Sequence, residues 1–146
     1  TRELTRRGVH RIDLIVPGQV EVQPDWTRYY PTAPPDFFDG NDDPGSIGCN
    51  IPGGVLPADF RAALTSIRAR PDVANVLVQV TMHDDPDAWP FSDTVWIVTS
   101  ATPQAVHGWM PARLAPDEVL DGFPEDLPIE TCTLPPGTRA VGLWYD

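Results

Sequence analysis

The segment His83–Asp93, HDDPDAWPFSD, sets Asp84, Asp85, Asp87 and Asp93 beside Trp89 and Phe91. Carboxylates this close repel one another unless a cation or a basic partner neutralises them. Aromatic rings among them would supply the apolar anchors of a protein interface with an acidic rim. The segment is therefore read as a candidate partner-binding loop. The bland alternative is a connection whose rings fold back on the core while its acids face water. A metal site is weaker. His83 and Asp85 would share one side of an extended segment and Asp84 the other, so a third ligand would have to come from elsewhere.

A second acidic stretch, Asp36–Asp43, reads DFFDGNDD. Its Asp39, Asp42 and Asp43 are secondary partner-binding candidates. The stretch lacks the register of a calcium loop, with acids at positions 1, 3 and 5 and glycine at 6. No metal and no cofactor are expected.

Motifs for catalysis do not emerge. The serines lack a GxSxG turn, and the histidines, His10, His83 and His107, fall in no recognised spacing. Gly45, Gly48, Gly53 and Gly54 match neither a dinucleotide nor a phosphate loop and are read as positions needing positive φ. Cys49 and Cys132 lie far apart and outside any CxxC pair, and are read as buried or incidental thiols. All ten basic residues are arginine, which removes lysine Schiff-base chemistry.

The formal charge is −11, and it is unevenly placed. Residues 1–35 carry five arginines and four acids, so the acidity belongs to the remainder. Such a field repels nucleic acid and anionic membranes and attracts basic surfaces. Trp26, Tyr29, Tyr30, Trp89 and Trp144 could stack bases, but base-stacking surfaces come with a basic groove. Neither nucleic acid nor membrane is an expected partner. No stretch reaches the about 18 apolar residues of a membrane helix, no signal peptide is visible, and the cytoplasm is the expected compartment.

The elements that must position these residues follow from periodicity. Ile12, Leu14 and Val16 alternate with polar residues, as in a half-buried strand, and Val20–Gln23 can return from the Pro17-Gly18 turn. Residues 24–54 are broken by proline and glycine yet rich in aromatics, which suggests an ordered wrap. Phe60, Ala63, Leu64 and Ile67 make one apolar stripe on a helix over Pro57–Ala69. Val76–Met82 and Thr94–Thr99 read as antiparallel central strands, the second apolar on both faces. Thr102-Pro103 starts a second helix, running to about Met110. Ala115–Asp121 is read as a single turn closed by Gly122, and Arg139–Tyr145 as the last strand. The expected fold is α+β: one domain over 1–146 with a mainly antiparallel sheet, two helices on one face, a long irregular N-terminal wrap and residues 1–8 as a flexible arm.

Taken together, the sequence favours a small acidic binding or inhibitor protein. Its most specific form is a bacterial immunity protein that occludes the basic active site of a cognate toxin, such as a nuclease or another enzyme acting on nucleic acid or nucleotides. The alternatives are a small enzyme with a carboxylate or Cys/His site in the wrap, and a subunit of a homo-oligomer such as a homodimer.

Overall fold

The computed structural model describes residues 11–16, 19–22, 37–80, 88–123 and 134–146. Among these residues six strands form one sheet: β1 (Arg11–Val16), β2 (Gln19–Val22), β3 (Val73–Val80), β4 (Thr94–Thr99), β5 (Glu118–Asp121) and β6 (Arg139–Trp144). Their order is β2-β1-β3-β4-β6-β5, and every neighbouring pair is antiparallel. Among the described residues two helices, α1 (Pro57–Arg68) and α2 (Pro103–Trp109), cross one face. The α+β class and the antiparallel sheet expected from the sequence are both present.

Register sorts the side chains. Val76 pairs with Ile97 and Ile97 with Val141, while Val78 pairs with Val95 and Val95 with Leu143. These residues form one buried face. It is closed by Phe60, Leu64 and Ile67 of α1, by Val106 of α2, and by Met110 and Leu114. The apolar stripe of α1 thus packs on the strand residues, and together they exclude water.

α1 begins with Pro57, whose missing N–H is no loss in a first turn. Asp59 accepts a hydrogen bond from the Leu56 N–H at 2.9 Å. That bond, followed by the Arg113 guanidinium 2.9 Å away, holds the Asp59 carboxyl below its ordinary range. In α2 the Thr102 hydroxyl accepts from the Ala105 N–H at 3.2 Å, the expected N-cap. Two residues past the end of α1, the Arg70 guanidinium lies 3.9 Å over the Trp109 ring of α2.

The opposite sheet face is also buried in its middle. Leu77, Trp96, Val98 and Ala140 form this second core, with Ala74, Leu120, Phe123 and Leu134 against it. Every residue of β4 is buried, which accounts for its unbroken apolar run. Trp96 Nε1 donates to Gln79 Oε1 at 2.8 Å, so the indole keeps a polar partner inside the core. Its ring lies over Gly142: a Cβ there would sit 2.6 Å from Cζ3. Glycine in the middle of β6 is the cost of fitting the largest side chain onto the neighbouring strand.

One local expectation fails. Ala115–Asp121 is not a helical turn. A 3-10 turn spans Ala112–Leu114, and Glu118–Asp121 is the edge strand β5. Four residues carry too few positions to distinguish the two periodicities, and pairing with β6 decides the outcome. Gly122 does take the positive φ, 91°, that ends the element. The wrap is seen from residue 37 on: it is irregular as expected, and Phe37, Phe38 and Ile47 seat it in the core.

Tyr145 closes the helical side. Its ring stands edge-on to Phe60, with centroids 5.1 Å apart, and its hydroxyl donates to the Leu114 carbonyl at 2.6 Å. Burial, and then the Asp117 charge, push the phenol well above its ordinary value. Below about pH 10 the phenol is neutral in both states; above it the unfolded chain ionises first, so stability falls with rising pH. Tyr145→Phe is expected to cost about 1–2 kcal/mol at neutral pH, by stranding the Leu114 carbonyl. It is also expected to make the alkaline decline shallower. Equally steep declines above pH 10 in the two proteins, followed by urea unfolding, would show that this phenol is not the titrating group.

Candidate functional site

The wrap and the loop before β4 are joined through their backbones. The Ser92 N–H donates to the Ser46 carbonyl at 2.8 Å, and Ile47 and Ser92 form an isolated parallel bridge. Ser92 is fully buried, and its hydroxyl donates to the Thr94 carbonyl at 3.2 Å. The acidic stretch that ends at Asp43 is thereby set against the segment carrying Trp89, Phe91 and Asp93.

Asn41 organises the wrap side. This buried amide donates from Nδ2 to the Phe37 carbonyl and to Ser46 Oγ, each at 3.0 Å, and its Oδ1 accepts from the Asp43 N–H at 3.0 Å. Phe37 and Phe38 anchor the segment in the core, their rings edge-to-face with centroids 5.0 Å apart. With its apolar residues turned in, the segment leaves Asp39 and Asp42 exposed and Asp43 half-buried. Asp43 Oδ1 accepts from the Gly45 N–H at 2.8 Å, which closes a turn.

On the loop side Trp89, Phe91 and Asp93 are each half-buried. The rings therefore neither fold fully into the core nor stand clear of it. Asp93 Oδ1 accepts from the Thr94 hydroxyl at 2.8 Å, and its carbonyl accepts from the Tyr145 N–H at 2.8 Å. Asp84, Asp85 and Asp87, with His83, lie outside the described residues.

Further acids join this end of the sheet that the sequence did not single out. Thr94 pairs with Trp144, and Trp144 with Glu118, so the starts of β4 and β5 and the end of β6 lie in one row. Asp117 donates its N–H to the Trp144 carbonyl and accepts the Asp146 N–H on Oδ2, both at 2.9 Å. Asp117, Glu118 and Asp146 are exposed there. The segment Glu118–Asp121, EVLD, shows no alternation and gave the sequence no strand signal.

Two ion pairs among the described residues, Arg70–Asp72 at 3.1 Å and Arg139–Asp121 at 3.7 Å, lie toward the opposite end of the sheet. A third, Arg113–Asp59, ties the 3-10 turn to α1. Asp93, Asp117, Glu118 and Asp146 thus lie at one end of the sheet, while Arg70 and Arg139 sit against carboxylates at the other and Arg113 against Asp59.

Two concave places accompany these elements. One, of about 420 Å³, is lined by Pro44, Gly53, Gly54, Val55, Leu56 and Asp59. Its carboxylate, Asp59, is committed to the helix cap and to Arg113. The other, of about 330 Å³, is lined by Pro103, Gln104, His107 and Val119. Among the described residues no group of three or more His, Cys, Asp or Glu side chains is placed to hold a metal ion. Cys49 is exposed rather than buried, and Cys132 lies outside the described residues. Gly48, Gly53 and Gly54 have positive φ as expected, whereas Gly45 does not. No helix among the described residues is long and apolar enough to cross a membrane.

A family model described as the uncharacterized protein YfbO family matches residues 22–143. The chain belongs to the YfbO family. A relative from Escherichia coli strain K12, the uncharacterized protein YfbO, is 40% identical over 111 residues, which cover 76% of this chain and 79% of that protein. The YfbO match includes α1 and α2, the segments at 39–43 and 88–93, and Asp117 and Glu118. No solved structure matches the chain.

Proposed function

We propose that this YfbO-family chain is an acidic binding protein that inhibits a basic protein partner, and that it serves as a bacterial immunity protein covering the active site of a cognate toxin. The observation that carries the reading is the backbone join between Ser46 and Ser92. It sets Asp39, Asp42 and Asp43 against the segment of Trp89, Phe91 and Asp93, at the sheet end where Asp117, Glu118 and Asp146 also lie. A net charge of −11 would steer such a surface onto a basic cleft, and half-buried rings would add contact at little ordering cost. Acidic side chains would stand in for phosphates, and the rings for bases, at a nucleic-acid-directed site.

The test begins with capture from the source cell's lysate at low and high salt, followed by stopped-flow binding to the purified partner. Replacing Asp84, Asp85 and Asp87 by asparagine is expected to slow association about ten-fold and to flatten its salt dependence. Replacing Trp89 or Phe91 by alanine is expected to act on the dissociation rate instead. Association rates unchanged by the three neutral replacements would remove this loop from the interface.

A further inference from the structure

We infer that the Asp43–Pro44 peptide bond is a self-cleavage site whose hydrolysis is promoted by the folded turn around it. An aspartyl–prolyl bond carries its own nucleophile, the side-chain carboxyl, two carbons from the carbonyl it can attack. The proline nitrogen belongs to a tertiary amide and departs as a secondary amine. What the fold adds lies at the carbonyl oxygen. The Asp43 carbonyl accepts two hydrogen bonds from Ser46, one from its N–H at 3.0 Å and one from its hydroxyl at 2.8 Å. The first is the bond of an ordinary four-residue turn. The second is not, and it is set by a buried neighbour: Asn41 Nδ2 donates to Ser46 Oγ at 3.0 Å, which turns the hydroxyl proton toward Asp43. Ser46 is 2% exposed and Asn41 7%, so both donors are fixed before any charge develops. Two preset donors on an oxygen that becomes an oxyanion are the device by which acyl-transfer sites lower their barriers.

The side chain is also placed. Asp43 Oδ1 is held by the Gly45 N–H at 2.8 Å, and Oδ2 has no hydrogen-bond donor among the described residues. Oδ2 of the protonated carboxyl attacks the Asp43 carbonyl carbon, and the oxyanion forms against the two Ser46 donors. A carbon–oxygen bond forms as the carbon–nitrogen bond to Pro44 breaks. The carboxyl proton ends on the nitrogen of Pro44, an exposed residue, and solvent can carry it there. The resulting five-membered cyclic anhydride is opened by one water molecule, which restores the side-chain carboxyl and leaves an α-carboxylate on Asp43. The net change is the addition of water, with no redox step. The products are residues 1–43 and 44–146. They stay associated, because β1, on the first fragment, is hydrogen-bonded along β3, on the second.

The chain carries its own clock in a second aspartyl–prolyl bond, Asp85–Pro86. The uncleaved 146-residue chain is incubated about one pH unit above its isoelectric point of about 4.4, where it keeps a net charge that favours solubility. A parallel sample is held in guanidinium chloride at the same pH. Both are denatured before intact-mass spectrometry so that associated fragments separate. Cleavage at Asp43–Pro44 is expected to run at least ~10-fold faster in the folded sample than in the denatured one, where the two bonds should cleave at similar rates. Ser46→Ala should remove about ten-fold of the folded rate while Ser46→Thr, which keeps the hydroxyl, retains it, with circular dichroism confirming the fold of each. A folded rate at Asp43–Pro44 equal to or below the denatured rate would overturn the inference using the unmodified chain alone. So would a folded Ser46→Ala protein that cleaves as fast as the original.

Discussion

Trp96→Ala is expected to remove about 3–5 kcal/mol of stability, the range for deleting a large buried aromatic. Three features place this residue at the upper end. Its ring is 1% exposed and packs at a tilt against Phe123, with centroids 4.7 Å apart. It fills the space above Gly142, where a Cβ on the glycine would lie 2.6 Å from its ring. Its Nε1 also satisfies Gln79 Oε1, and Gln79 is 4% exposed, so the truncated protein keeps a buried carboxamide oxygen without that donor. An unmet buried acceptor costs about 1–3 kcal/mol on its own, so part of the loss is polar rather than a cavity. A domain of this kind has about 5–15 kcal/mol in total, so the variant should unfold at a much lower denaturant midpoint or fail to fold. Trp96→Phe separates the two contributions: it retains most of the packing and loses the hydrogen bond, and should fall well short of the alanine loss. Guanidinium chloride unfolding of the three proteins measures this. An alanine variant within about 1 kcal/mol of the original would mean that the second sheet face does not form a packed core.

Gly48→Ala is the second large effect, expected at about 2–4 kcal/mol from two additive causes. Gly48 has φ +62°, a left-handed conformation that disfavours a Cβ. A Cβ there would also lie 2.8 Å from the Phe60 ring and from Ile51 Cδ1. Phe60 is fully buried on α1 and packed edge-to-face with Tyr145, so its ring has little room to yield. Gly53→Ala provides the contrast: φ is +85°, but a Cβ would meet nothing within 4 Å. The difference between the two losses therefore reports the steric part alone. If both substitutions cost the same, Gly48 is needed for its backbone conformation and not for the close approach of Phe60. Because Gly48 follows the Ser46–Ile47 pairing with Ser92, the substitution should also disturb the joined acidic segments. Any purified partner should then lose affinity in parallel with stability.

The sequence by itself determined the elements whose signals are local and long enough to repeat. Phe60, Leu64 and Ile67 recur on one side of α1 and are buried together. The Thr102-Pro103 start of α2 needs only its own hydroxyl and ring. The six consecutive buried residues of β4 could satisfy both faces only in mid-sheet, which is where β4 lies, between β3 and β6. The positive φ at Gly48, Gly53 and Gly54 was likewise legible, since glycine alone takes that conformation without strain. The acidity and its bias toward the body of the chain need no fold at all.

Only the tertiary structure decided what depends on contacts between distant segments. Glu118–Asp121 is a strand because β6 offers it hydrogen bonds, not because four residues show a period. Gly142 reads as a weak point in a strand until Trp96 is seen above it. The candidate site was half legible. Asp39, Asp42, Asp43, Trp89, Phe91 and Asp93 could be chosen by residue type. Their meeting rests on a backbone bond between Ser46 and Ser92, and backbone bonds leave no trace in side-chain identity. Asp117, Glu118 and Asp146 join them because antiparallel register brings the ends of three strands to one edge of the sheet. Asn41 and Ser46, unremarkable polar residues in a loop, became organising groups only once burial left each amide and hydroxyl needing a partner.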